Sequence, residues 1–583
     1  MLFSNFIVLK IMTNLKEISD NIKNKNLKEA LRLCEIYNDK SNQHIIFNFK
    51  GVIYLIKNDL ESSEQYLIKS IEIQPKYEDP IKNLYLVYLK KKLFNKMLVY
   101  AKQLVEINEL NDEYNYQLAY AHELNNNFGD ALKYYTKYLD LNGKNKKQAL
   151  NNIGCMYLKK NKPKIANEFF LKGINFGEDQ IIINNLLNSY ILLRDLKNSE
   201  IFLSKAENFD KNFIEFKYNK ARFLILKNQI QEAINILDEN KNIPKFFITL
   251  LILYSNTNNK EECEKLLNQS KDNLKNEPEF LNYYGLKLLF EGNFGKGWEY
   301  YEYRKSKITD FYKNIKEWNG EKINEKSIVV FNEQGLGDSI QFSKYIIPLT
   351  KIAKNVTFVV QKSIKNLFKE EIDNLSIETI ENCRHKPFDF KIALGSLIKF
   401  FYEEKFINNK NLIQTIREND LKWSEKIIKD KLNIGFVWSG GFNGANEPFR
   451  SVPLKSLKKI FSINAKFYCL QNEIWDRDLD DFRSSSLVDY GQYKLDEIAS
   501  IIKNLDLVIT SDTSILHLSA SLNIETWGML SLHPDWRWGE FNKINPYKTL
   551  KIFQQEKFND WSTVEDQVYN ELKKKVDLKR LKQ

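Results

Sequence analysis

Apolar residues in the first three hundred or so positions recur three and four apart, in blocks of about a dozen interrupted by short polar turns, and that period belongs to amphipathic helices. After residue 320 the pattern changes. Short continuous apolar runs rich in β-branched and aromatic residues appear at Ile328–Phe331, Val356–Val360, Phe388–Leu394, Ile434–Trp438, Lys466–Leu470, Leu507–Thr510 and Thr526–Leu530. Such runs, alternating with amphipathic stretches, indicate parallel strands covered on both faces. The spacing predicts one α/β unit over 321–415 and a second over 430–583 that ends in a helix. The polar helical stretch Asn419–Lys431 joins them, and ligands of paired sheets sit at the carboxyl ends of the strands, in the cleft between the units.

Within residues 1–306 the helical blocks repeat one another. Phe47, Gly51, Tyr54, Ser63, Leu67, Ser70 and Pro75 reproduce the tetratricopeptide spacing of large, Gly, Tyr, small, large, small, Pro, which makes one helix-turn-helix unit. The small residue at which the two helices of a pair approach recurs at Ala30, Ser63, Met97, Ala131, Ala166, Ser199, Ala233, Cys263 and Gly297, in steps of 33, 34, 34, 35, 33, 34, 30 and 34. About eight to nine pairs are expected, stacked into an α superhelix because no pair can bury its apolar face alone. Asn48, Asn83, Asn115, Asn151, Asn152, Asn184 and Asn185 fall on the first helices of the pairs. In a chain this rich in Asn they read as solvated surface in preference to a ladder of amides gripping a peptide backbone. The last pair carries Trp298, Tyr300, Tyr301, Tyr303 and Arg304, an aromatic weight that suggests docking onto the next domain.

Three loops of the α/β half carry candidate chemistry. In NEQGLGDSIQF (Asn332–Phe342) a strand meets a glycine turn that opens a helix predicted over Ser339–Leu349. Gly335 and Gly337 are read there as residues free to take backbone angles closed to others. Asp338 falls at the helix mouth, where a carboxylate either caps the helix or accepts a proton from a bound hydroxyl. The second loop, Ser439–Leu454, is rich in Gly and Asn and ends in Arg450-Ser451, whose planar guanidinium suits phosphate oxygens. In the third, Leu507–Ser521, a strand runs through Ser511, Asp512, Thr513 and Ser514 into a helix bearing His517. Its mouth is an anion site by its free N–H groups and dipole, with hydroxyls from Thr513 and Ser514. Asp512 either orients Thr513 or binds a ribose, and His517 reads as a packed helix residue. Pro534–Trp538 either lies beside a base or sugar or closes the domain edge.

Composition narrows the partners. With 583 residues the chain exceeds one core, and 87 Lys and Arg against 76 Asp and Glu leave a net charge of +11. Lys is spread throughout, so no nucleic-acid stripe is read, although a basic surface can steer anionic nucleotides or make peripheral membrane contact. No apolar run is long enough to span a membrane. The opening MLFSNFIVLKIM lacks a basic start and a cleavage site, which argues against a signal peptide, and Met12 offers an alternative start. Five scattered cysteines suit a reducing cytoplasm and form neither a disulfide framework nor a zinc site.

In this order, NEQGLGDSIQF, the WSGG loop closed by RSVPL, SDTSILHLSAS and PDWRW, behind repeats ending in EGNFGKGWEYYEYR, resemble bacterial tetratricopeptide–glycosyltransferase fusions. Their C-terminal part is similar to glycosyltransferase family nine, the ADP-heptose:lipopolysaccharide heptosyltransferases. The resemblance implies a GT-B fold of two Rossmann-like units, 321–415 on the acceptor side and 430–583 on the donor side. It implies inverting transfer with no metal and no cofactor beyond the nucleotide-sugar substrate. Asp338 would be the base, with Glu333 and Gln334 on the acceptor side, and Arg450, Asp512, Thr513, Ser514, His517 and Gly440 on the donor side. The loop Gly440–Glu447 lacks the His and extra basic residues expected of such fusions. A repeat groove implies a protein acceptor or partner. The alternatives are transfer to a lipopolysaccharide or other glycan, and a repeat scaffold with a degenerate nucleotide-sugar domain.

Overall fold

The computed structural model describes residues 2–37, 40–160, 162–257, 259–274, 277–307, 312, 314–383, 386–403, 411–427, 429–441, 449–544 and 547–582. The chain forms two compact units, one of Met1–Tyr190 with Ser204–Asp210, the other of Ile191–Leu203 with Lys211–Gln583.

In the first unit antiparallel helices follow in pairs, from Leu2–Lys23 with Leu27–Ile36 to Lys146–Lys159 with Pro163–Ile174. The pair Gln180–Leu193 and Leu196–Ala206 is divided between the units. Small residues sit at the crossings because nothing larger fits. A Cβ on Gly51 would meet Leu67 Cγ at 2.5 Å, and one on Gly154 would meet Phe170 Cε1 at 2.4 Å. Ala30, Ser63, Met97, Ala131 and Ala166 are all fully buried. The turn inside four of these pairs is left-handed at a recurring position, Lys25, Asn58, Lys92 and Asn126, with φ near +60° in each.

The asparagines are not solvated surface. Asn48, Asn115, Asn151, Asn152 and Asn184 are buried. Asn83 Nδ2 donates to Asn48 Oδ1 at 2.9 Å and Asn185 Nδ2 to Asn151 Oδ1 at 2.8 Å, each across one repeat. Two amide pairs thus bridge neighbouring helix pairs, while Asn115 Nδ2 donates to the Glu109 and Asn111 carbonyls and Asn152 Nδ2 to the Tyr116 and Tyr135 hydroxyls.

In the second unit the pairs Ile214–Leu226 with Ile230–Glu239, Pro244–Asn256 with Lys260–Leu274, and Pro278–Phe290 with Phe294–Tyr301 lead into two parallel sheets. β1 (Lys316–Glu317), β2 (Ile323–Phe331), β3 (Ala353–Val360), β4 (Leu375–Thr379) and β5 (Phe390–Ala393) lie in the order β1-β5-β2-β3-β4. β6 (Asn433–Val437), β7 (Lys466–Cys469), β8 (Leu507–Ser511), β9 (Thr526–Leu530) and β10 (Leu550–Gln554) lie in the order β10-β9-β8-β6-β7. Every residue of β6, β8 and β9 is buried, as parallel strands covered on both faces require. Chain order reverses between β2 and β5 in the first sheet and between β6 and β8 in the second, and these switch points are where open α/β sheets leave a crevice.

One apolar core joins Leu289, Trp298 and Tyr301 of the last pair to Ile328 and Val330 of the first sheet and Val437 and Val508 of the second. The expected docking of the last pair is therefore seen: Trp298 meets Trp536 edge-on at 5.5 Å and Tyr301 meets it at 5.6 Å. A second core lies between the second sheet and the C-terminal helix Ser562–Lys582, through Val564, Val568, Leu572 and Val576 on one helical stripe. The helix expected over Ser339–Leu349 is instead Leu336–Phe342, a 3₁₀ turn Ser343–Tyr345, and a short helix Ile346–Thr350. Pro348 has no N–H for the carbonyl four residues back, so the hydrogen-bond ladder tightens before it. Among the described residues no helix is long and apolar enough to cross a membrane.

Candidate functional site

The loops that leave β2, β6 and β8 converge beside the two switch points. Helix Leu336–Phe342 after β2 packs against helix Ser514–Ser521 after β8, and the contact depends on Gly337. A Cβ there would lie 3.1 Å from His517 Cδ2 and 3.4 Å from Ser514 Cα. Neither loop glycine uses the conformational freedom expected of it. Gly335 has φ −71°, and neither glycine is in the left-handed region. The requirement is space, since a Cβ on Gly335 would lie 3.1 Å from Asp338 Oδ2.

Asp338 occupies the third position of its helix, and its Oδ2 accepts the Gly335 N–H at 2.9 Å. Its Oδ1 accepts from Arg537 Nη2. Arg537 also donates through Nη1 to Asp535 Oδ1 at 2.5 Å. Burial works against this guanidinium, and the Asp338 and Asp535 carboxylates outweigh it, holding the charge firmly in place. Sequence reasoning had Arg537 only inside the PDWRW motif. An arginine set between two tryptophans and two residues after an aspartate was the available signal.

On the facing side, Arg450 Nη1 donates to the main-chain oxygen of Asp512 at 3.1 Å. Its guanidinium lies against Gly440, where a Cβ would come within 2.3 Å of Nη2. Gly440 is held in turn by Trp475 Nε1, which donates to its carbonyl at 3.2 Å, and by Ser451 Oγ, which accepts its N–H at 3.3 Å. The expected loop between these anchors, 442–448, lies outside the described residues. Burial, then the nearby Asp535 carboxylate, push the Asp512 carboxyl up to about 6, against the pull of Arg450 and Arg537.

Thr513 is the N-cap of helix Ser514–Ser521 and makes no side-chain cap hydrogen bond; its hydroxyl instead meets Thr510 Oγ1 at 3.0 Å. His517 is buried, stacks on Trp538 with ring centroids 5.5 Å apart, and shares a hydrogen bond with Tyr547 through Nδ1 at 3.2 Å. Burial, followed by the charges of Arg537 and Lys344, holds it well below the usual histidine range, so it is neutral and packed. Lys344 was also missed. Burial lowers its ammonium to about 8, and it lies over the rings of Tyr345 and Tyr547.

Glu333 and Gln334, expected on the acceptor side, turn toward the last helix pair. Glu333, 1% exposed, accepts from Arg304 Nη2 at 2.8 Å and Nε at 3.0 Å and from the Gly395 N–H at 3.0 Å. Burial pushes its carboxyl up and Arg304 pulls it back, while Arg304 itself stays charged, and all three donors converge on Oε1. Gln334 Oε1 accepts from the Tyr301 hydroxyl at 3.0 Å. A neighbour on the repeat side captured both residues. The structure therefore gathers Asp338, Gly337, His517, Ser514, Asp512, Arg450 and Gly440 around Arg537, and sets Glu333 and Gln334 apart. Among the described residues no group of three or more His, Cys, Asp or Glu side chains is placed to hold a metal ion.

No curated protein matches the chain. Among solved structures it is similar to MamA 41-end from Desulfovibrio magneticus RS-1, with 18% identity, 28% of this chain and 94% of that one covered, and a TM-score of 0.27. It is similar to pilF of Pseudomonas aeruginosa, with 14% identity, 34% and 90% covered, and a TM-score of 0.30. A tetratricopeptide repeat protein from Parabacteroides merdae shows 12% identity, 41% and 97% covered, and a TM-score of 0.34. Residues 46–77 match the tetratricopeptide repeat family. The matched residues span one helix pair, and the neighbouring amino-terminal pairs repeat its step near 34 residues, which supports a tetratricopeptide-like superhelix.

Proposed function

We propose that the α/β half transfers a sugar from a nucleotide sugar to an acceptor hydroxyl, with inversion and without a metal, and that the repeats select a protein acceptor. The observation that carries this reading is the ion pair of Asp338 with Arg537, set where helices Leu336–Phe342 and Ser514–Ser521 meet. A donor diphosphate would compete with Asp338 for Arg537. The carboxylate, so released, takes the proton of the acceptor hydroxyl as its oxygen bonds to the anomeric carbon. The bond from that carbon to the donor phosphate breaks, and the electron pair leaves on the nucleoside diphosphate. Arg450, Arg537 and the N–H groups opening helix Ser514–Ser521 meet the growing charge.

The rival reading is a repeat scaffold with a nucleotide-sugar sensor, in which the Asp338–Arg537 pair only ties the two helices together. Thermal-shift measurements against nucleotides and nucleotide sugars, with and without EDTA, come first, since binding to the native state raises the melting temperature. Transferase chemistry requires a shift that EDTA leaves unchanged and Arg450→Ala removes. It further requires that Asp338→Asn abolish sugar transfer while donor binding persists. Turnover that survives Asp338→Asn overturns the base assignment, and the absence of any nucleotide shift leaves the scaffold.

A further inference from the structure

The helix pair Pro278–Phe290 and Phe294–Tyr301 keeps the step of the repeats, with Gly297 at its crossing, yet it ends against both halves of the candidate site. The two halves meet at Tyr301, which is 1% exposed. Its hydroxyl donates to Gln334 Oε1 at 3.0 Å, four residues before Asp338. Its ring meets that of Trp536 at 5.6 Å, one residue before Arg537. We infer that Tyr301 is a positioning residue: it holds Asp338 and Arg537 in register from the last helix pair, which makes that pair part of the site. On the transferase reading above, the register it holds is the one the base needs for turnover.

On the Asp338 side the hold is a chain of directed bonds. The Gln334 N–H donates to Asn332 Oδ1 at 3.3 Å and the Gln334 carbonyl accepts from Asn332 Nδ2 at 3.2 Å, so the loop is folded on itself at the residue Tyr301 grips. The next N–H along, that of Gly335, is the one Asp338 Oδ2 accepts. Arg304 adds a second grip one residue earlier, at Glu333. It also donates to the Tyr301 carbonyl at 3.0 Å and lies 4.2 Å from the centre of the Tyr301 ring. Burial pushes the Tyr301 phenol above its usual range, against the pull of Arg304 and Arg537, so the hydroxyl stays a donor.

On the Arg537 side the hold is packing. Trp536 lies between Tyr301 and Phe342, the last residue of the Asp338 helix, with ring centroids 5.6 and 6.3 Å away. It opens the turn Trp536–Trp538, which Asp535 caps by accepting the Arg537 N–H at 3.1 Å. Gly539 ends that turn against helix Pro278–Phe290, where a Cβ would come within 2.4 Å of the Phe290 carbonyl oxygen. The same helix presses on Tyr301, since a Cβ on Gly285 would lie 2.7 Å from the Tyr301 nitrogen. Backbone meets backbone at both places, with no flexible side chain between to absorb a shift.

The two holds are chemically separable. Removing the hydroxyl releases the Gln334 side while the ring still fixes the Arg537 side, so Asp338 slips relative to its partner. A misplacement of about 1 Å costs up to about a hundredfold in rate, whereas nucleotide affinity, carried by Arg450 and Arg537, is spared.

The test uses the full chain with Tyr301→Phe, Gln334→Met and the two combined. Tyr301→Phe should lower kcat by about tenfold or more and leave KM for the nucleotide sugar within about twofold, a split that general loosening of the fold would not produce. Gln334→Met should lose as much, and the combined variant no more than either, because all three cut one bond. A second readout needs no turnover: urea unfolding of Tyr301→Phe, Asp338→Asn and their double. Their effects on the unfolding constant should deviate from a simple product by at least about threefold, where independent sites stay within about twofold. An active enzyme with kcat unchanged in Tyr301→Phe, a raised KM alone, or unfolding effects that simply multiply overturns the inference. Absence of any nucleotide shift and of any transfer removes the transferase reading alone, and the unfolding comparison then decides whether Tyr301 positions the pair.

Discussion

Arg537 and Asp338 are hydrogen-bonded although 199 residues separate them in sequence, and the arginine divides its guanidinium between Asp338 and Asp535. The side chains of Arg537 and Asp338 are 14% and 17% exposed. Removing the cation leaves two carboxylates facing one another in a largely enclosed space. Arg537→Ala should cost about 3–5 kcal/mol, the range for breaking a buried pair from one side. Urea denaturation followed by tryptophan fluorescence reads it, since Trp536 and Trp538 flank the position. A loss below about 1 kcal/mol would mean that the pair behaves as a surface bridge.

On the proposed transferase reading, Asp512 should make nucleotide-sugar affinity depend on pH. Its carboxyl titrates at about 6 in the folded chain and near 4 when unfolded. Between those values the native state binds the extra proton, so this residue's contribution to stability falls as pH rises from about 4 through about 6 and is level above. Protonation also removes a negative charge beside Arg450 and Arg537, so an anionic donor binds more tightly as pH falls through 6. A nucleotide sugar, whose phosphates do not titrate in this range, should show that trend in calorimetry, and Asp512→Asn should flatten it.

Gly440 and Gly337 should fail in different ways. A methyl on Gly440 meets the flexible end of Arg450, so Gly440→Ala should move the guanidinium off the Asp512 carbonyl and, on the proposed reading, weaken nucleotide binding with the fold intact. A methyl on Gly337 meets a helix backbone at Ser514 and the buried His517 ring, so Gly337→Ala costs about 1–3 kcal/mol by overpacking. Melting curves with and without nucleotide distinguish the two.

Arg194 should influence the Gly440 loop from the repeat side. Its guanidinium lies 3.5 Å from the centre of the Trp475 ring, the same indole whose N–H holds the Gly440 carbonyl. Arg194→Ala should cost about 0.5–2 kcal/mol through the lost cation–π contact. It should also lower nucleotide affinity while the pH trend set by Asp512 persists. An unchanged affinity would confine Arg194 to packing.

The repeats and the interior strands were legible because their signals are local. A step near 34 residues and a continuous apolar run each survive without knowledge of any neighbour. The three strands that went unread, β1, β4 and β10, lie at sheet edges, where partial exposure breaks the apolar run. At the candidate site, Asp338, Arg450 and the Asp512 to His517 stretch could be singled out because glycine turns and helix mouths mark them. The partners of Arg537, Glu333 and Gln334 were not legible for one shared reason: each lies 29 to 199 residues distant. The asparagines failed similarly, since an amide paired across repeats has the same local sequence as one in water.

Strand order in the first sheet also sets a timetable for synthesis. β5 is inserted between β1 and β2, pairing Phe390 with both Lys316 and Ile328, although it is the last of the five to be made. Until Phe390–Ala393 has emerged, β2 carries an open edge and β1 has nothing to pair with. Chains truncated or stalled before that point should expose a strand edge to aggregation, whereas those ending after Ala393 can close the first sheet without it.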